Sequence, residues 1–113
     1  MAGCFTPRGV RKFSSVHTSA LDGVKEGSGT LLDHSLVLAY TDTSNAKLHA
    51  VDGIPMILAG SASGRMKTGI HYAGASTTVA RVGLTVQQAM GLSVDRWGTD
   101  SNMTNKPISE IMA

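Results

Sequence analysis

The sequence predicts an α/β chain, with a partial mixed or parallel sheet flanked by helices. Three observations carry that prediction. The segments Ser35–Tyr40 and Pro55–Ala59 are short and almost continuously apolar, as strands are when layers cover both faces of a sheet. The segment Thr77–Met90 repeats Val79, Val82, Val86 and Met90 at helical spacing. A weaker repeat of the same kind runs through Phe13, Val16, Ala20, Leu21 and Val24.

Residues 1–12 mix Gly3, Pro7 and Gly9 with basic side chains and are expected to be irregular or disordered. A helix follows over Phe13–Lys25. Gly27 and Gly29 end it, because glycine accepts the positive φ found past helix ends. Thr30–Asp33 leads into the first strand, Ser35–Tyr40. The polar run Thr41–Lys47 then turns the chain. Pro55 opens the second strand, where the first ladder position tolerates a missing N–H.

Gly60-Ser-Ala-Ser-Gly64 reads as a small-residue loop. Arg65–Thr68 and Ile70–Tyr72 flank Gly69 and are expected to pair as a short hairpin. Ser76 or Thr77 can cap the Thr77–Met90 helix, and Gly91 terminates it. Its apolar face is expected to be core or interface. The tail from Asp95 to Ala113 is polar, with turn signals and a short helix at Ser109–Met112. The expected domain is a single partial one over 13–113. Two strands apolar on both faces need layers on both sides. Two helices and a hairpin do not supply them, so the sheet is expected to continue in further chain or in a partner.

Composition bounds the function. The 113 residues, 42% of them hydrophobic, suffice for one small core. Charged residues make up only 16% and glycine is frequent, so the chain reads as globular and loop-rich. The net charge is +2, with the cations dispersed and no basic stripe interleaved with aromatics. Nucleic-acid binding is therefore not expected. Cys4 is the single cysteine, which excludes an internal disulfide and a cysteine-rich zinc site. No apolar run is long enough for a membrane span. The opening MAGCFTPRGVRKF lacks the apolar core of a signal peptide.

Few residues invite chemistry. Asp42 follows the first strand and His49 precedes the second. Functional groups gather beyond the carboxyl ends of strands in open α/β sheets. A carboxylate and an imidazole there suit zinc, manganese or similar ions. A turn aspartate and a solvated histidine are the plain alternative. The Gly60–Gly64 loop lacks the lysine and the following helix of a phosphate-binding loop. Ser61 and Ser63 have no evident paired base. His17, His34 and His71 read as surface or packing residues, and Trp97 as a local packing anchor. No residue is assigned a catalytic role.

A resemblance adds to this reading. Gly29-Thr-Leu-Leu-Asp-His-Ser-Leu-Val-Leu38, His49-Ala-Val-Asp-Gly-Ile-Pro-Met-Ile-Leu-Ala-Gly60 and Gly64-Arg-Met-Lys-Thr-Gly-Ile-His71 stand in order along the chain. Gln88-Ala-Met-Gly-Leu92 and Trp97-Gly-Thr-Asp100 continue the series. Together they resemble segments of an exported bacterial family, the domain of unknown function fifteen-fifty-two. That family in turn resembles the alkaline phosphatase and sulfatase superfamily.

The resemblance implies a C-terminal fragment of an alkaline phosphatase-like fold, from a periplasmic or exported parent. In the superfamily a strand ends in a metal-binding Asp-His pair, and a later His completes a binuclear site. By that resemblance Asp42 matches the Asp and His49 the later His, with zinc or manganese as the metal in a full-length protein. Thr43 stands where the paired His is expected. The strand bearing the Ser/Thr nucleophile and the upstream metal carboxylates have no counterpart. Two-metal ester hydrolysis needs an activated nucleophile and a clamp on the leaving oxygen. The resemblance therefore implies a phosphate or sulfate ester hydrolase as parent and an incomplete catalyst here. The alternative is a non-catalytic binding or assembly module. It would take a protein partner, or a second copy of the chain, on the exposed apolar face of the 77–90 helix.

Overall fold

The computed structural model describes residues 7–45, 47–74 and 76–113, with side chains from residue 15 onward. The chain forms two compact units, Met1–Gly60 and Ser61–Ala113. The single domain expected over 13–113 thus has its contacts grouped on either side of the Gly60–Ser61 peptide.

The first unit opens with helix α1, Pro7–Asp22. It begins one and a half turns before the expected Phe13. Proline suits a first helical turn, where its fixed φ fits and its missing N–H is not needed. The rest of the expected irregular segment, residues 1–6, lies outside the described residues. Strands β1 (Lys25–Glu26) and β2 (Gly29–Thr30) form a short antiparallel pair around Gly27. Helix α2, Leu31–His34, is one turn long and is held by a capping box. The Thr30 Oγ1 accepts from the Asp33 N–H, and the Asp33 carboxylate accepts from the Thr30 N–H at 2.8 Å. Such reciprocal bonds satisfy donors that a helix start leaves orphaned.

Strands β3 (Val37–Tyr40) and β4 (Met56–Ala59) lie within the two apolar runs. They pair antiparallel, from Val37 opposite Ala59 to Tyr40 opposite Met56. Both strand pairings among the described residues are antiparallel. The physical reason lies in the connection: parallel neighbours need a crossover, usually a helix, and the described residues of the 41–55 connection hold none. Burial is also lower than the apolar runs suggest. Seven of the eight strand residues are half-buried, and Tyr40 is 62% exposed. Helix α1 packs on α2 and β3.

The second unit is built on helix α3, Ala80–Ala89. Its end is a Schellman turn: the Leu92 N–H reaches the Gln87 carbonyl and the Gly91 N–H the Gln88 carbonyl, both at 3.0 Å. Gly91 takes a φ of +88°, as that turn requires. Arg65 adds a guanidinium bond to the Ala89 carbonyl at 3.1 Å. Ala62, Met66, Leu84, Ala89, Ile108 and Ile111 belong to the core of the unit, with Leu84 and Thr85 fully buried. The Thr85 hydroxyl donates to the Arg81 carbonyl at 2.7 Å and accepts from the Ile108 N–H at 2.8 Å. Arg81 reaches the Lys106 and Pro107 carbonyls at 3.0 and 2.9 Å. The 106–108 segment is thereby tied to α3 through side chains.

The hairpin expected about Gly69 does not form. Met66 instead bridges Met112, flanked by the Lys67 N–H to the Ile111 carbonyl and the Ala113 N–H to the Arg65 carbonyl, both at 2.9 Å. The chain's last residues, distant in sequence, outcompete the local partner. A 3-10 turn at Ser109–Ile111 precedes them, within the expected short helix. Ser61–Gly64 forms a tight turn in which Ala62, Ser63 and Gly64 all take left-handed φ. The Met66 N–H closes it on the Ser61 carbonyl at 2.9 Å.

Candidate functional site

Asp42 and His49 both stand on the connection between β3 and β4, and both are exposed. At the end of β3 the side chains alternate as in a strand. Thr41 turns inward, 7% exposed, its hydroxyl buried with no hydrogen-bond partner among the described residues, and Asp42 is exposed beside it. Seven residues on, an asparagine turn presents His49. The Asn45 Oδ1 accepts from the N–H groups of Lys47 and Leu48, at 3.1 and 3.4 Å. Ser44 and Ala50 close the turn, the Ser44 N–H reaching the Ala50 carbonyl at 2.9 Å. His49 takes a left-handed φ of 49° at the tip, a conformation that histidine enters more readily than most residues.

A metal shell needs three or more ligands. Among the described residues no group of three or more His, Cys, Asp or Glu side chains is placed to hold an ion. The connection offers Asp42 and His49 as two exposed side chains on one loop. The carboxylate with a shaped environment is a different one, Asp33. The Thr30 N–H and hydroxyl bonds hold its pKa below the ordinary 3.8. That arrangement serves the α2 cap.

No family model, curated protein or solved structure matches this chain.

The second unit offers a feature of another kind. Val79, Gly83, Val86 and Met90 follow one face of the α3 region at steps of four, three and four residues. The face that α3 buries carries Ala80, Leu84, Thr85 and Ala89 instead. Val79 and Met90 are 46% and 49% exposed. Trp97 lies against Gly83, where an added Cβ would sit 2.7 Å from the indole Nε1, yet the residue remains 50% exposed. Leu92 and Met103 are also exposed. The Trp97 position is fixed by a two-bond bridge to Thr104, at 2.9 and 2.8 Å.

Sequence spacing picks out the apolar face of this helix. Trp97, read from the sequence as a local packing anchor, packs on this face at Gly83. The available signal was Gly83, a poor helix former set mid-helix, which marks close approach by another group. No helix among the described residues is long and apolar enough to cross a membrane.

Proposed function

We propose that the chain is a non-catalytic assembly module that binds a second copy of itself through the outer face of α3. One observation carries this reading: the more apolar face of the helix is left partly exposed, with a half-exposed tryptophan set against it. Tryptophan and methionine are enriched at the centres of protein interfaces. Contiguous exposed apolar surface tends to seek a partner. Sedimentation equilibrium across a concentration series tests it. The expected result is a reversible dimer, weakened at least about tenfold by Met90→Glu, which removes an apolar contact and buries a charge. A chain that stays monomeric, monodisperse and cooperatively folded throughout removes the reading.

A second reading rests on the sequence resemblance, with Asp42 and His49 sharing one connection as its support. In it the chain is a fragment of an alkaline phosphatase-like hydrolase, and the two residues are part of a zinc or manganese shell completed elsewhere. The expected outcome is weak zinc binding, reduced in Asp42→Ala and His49→Ala, without phosphate or sulfate ester turnover. Zinc titration by calorimetry reads the first part. Metal-dependent hydrolysis abolished by both substitutions would show a complete catalyst and overturn the fragment reading.

A further inference from the structure

The chain holds two Asp–Gly pairs, Asp22–Gly23 and Asp52–Gly53. Their neighbours nearly match. An aliphatic residue precedes each aspartate (Leu21, Val51), and a β-branched one follows each glycine (Val24, Ile54). Glycine has no Cβ, so its backbone allows close approach, and the preceding carboxyl can reach its nitrogen. Unfolded, the two pairs would behave alike. The fold separates them. Asp22 is the last residue of α1, and both of its reacting groups are engaged. The Gly23 N–H donates to the Ser19 carbonyl at 3.0 Å, and the Asp22 carboxylate accepts from the Thr30 hydroxyl at 3.3 Å. Asp52 and Gly53 instead form an exposed turn, with Gly53 at a left-handed φ of 65°. No hydrogen bond among the described residues engages either one. A Cβ added at Gly53 would meet nothing within 4 Å.

We propose that Asp52 is a self-modification site, where the folded chain converts aspartate to isoaspartate. The Gly53 nitrogen attacks Cγ of the protonated Asp52 carboxyl. A C–N bond forms and a C–O bond breaks. The hydroxyl leaves as water, together with the proton of the nitrogen, and a cyclic imide remains. Water then adds at the main-chain carbonyl carbon of Asp52. The bond from that carbon to the Gly53 nitrogen breaks, and the nitrogen regains a proton. The chain now runs through Cβ and Cγ of Asp52, with a carboxylate where the peptide bond stood. One water leaves and one returns, so mass is unchanged and no other reactant is consumed. The backbone gains one methylene between the Asn45–Ala50 bridge and the Tyr40–Met56 pairing. At Asp22 the same step requires the end of α1 to open first, because a nitrogen whose N–H is held in the last helical turn cannot swing towards Cγ. This inference is independent of the α3 interface.

Ageing the full chain in parallel, folded in buffer and unfolded in urea, tests it. Trypsin then places Asp22 in the peptide 13–25 and Asp52 in the peptide 48–65. Electron-transfer fragmentation counts isoaspartate in each. In the folded chain Asp52 is expected to convert at least about tenfold faster than Asp22, since each hydrogen bond at Asp22–Gly23 slows opening several-fold. In urea the two rates should converge. Asp52→Glu needs a larger ring and should abolish conversion in the peptide 48–65 while leaving the peptide 13–25 unchanged. Equal rates in the folded chain would overturn the proposal. So would a rate ratio that urea leaves unchanged, or an Asp52 that converts in urea and not in the folded chain.

Discussion

Thr85 shows how one side chain holds distant backbone. It is fully buried, yet both hydrogen-bonding roles of its hydroxyl are filled, by the Arg81 carbonyl and the Ile108 N–H. Thr85→Val keeps the shape and removes the acceptor. The Ile108 N–H is then stranded in the core, at a cost of about 1–3 kcal/mol. Urea unfolding followed by Trp97 fluorescence should show that loss as a lower midpoint with an unchanged slope. An unchanged midpoint would mean that this bond is not made in solution. Asp42 and His49 are the contrast. Their residue types were legible as ligands in the sequence. A third ligand, which any metal shell would need, depends on tertiary placement that spacing along one loop does not encode.

At the scale of elements, the strongest local signals held. The strands lie within the apolar runs, α3 lies within Thr77–Met90, and Gly91 ends it. What local pattern did not reveal was pairing over long separations. Met66 takes Met112 across 46 residues of chain rather than a neighbour across Gly69. The buried face of α3 was also hidden, because small residues such as Ala80 and Ala89 let the chain approach closely and carry little hydrophobic signal. Gly83 belongs to this scale. Gly83→Ala gains about 1 kcal/mol of helix propensity but drives a Cβ into the Trp97 indole. The expected outcome is a red-shifted Trp97 emission with no net gain in stability. A more stable protein with unshifted emission would show that the indole does not rest there.

Across the whole molecule, size sets the terms. Neither unit exceeds 60 residues, and domains so small bury a limited fraction of their surface and are marginal alone. Association would then stabilise the fold by mass action. If the α3 face joins two copies, the thermal midpoint should rise with protein concentration, and Met90→Glu should flatten that dependence. Scanning calorimetry at several concentrations reads both. The β3 and β4 strands in one unit are half-covered, and the outer face of α3 in the other is partly exposed.

The bridge between Met66 and Met112 also has a consequence in time. Residues are made in order, and domains generally fold as units during synthesis. As a ribosome releases this chain, the Arg65–Lys67 backbone must wait for residues 111–113 before its ladder closes. Until then α3 can coil, but the unit that it anchors has an open seam. A pause in translation before residues 111–113 emerge would hold the nascent chain in that unfinished state.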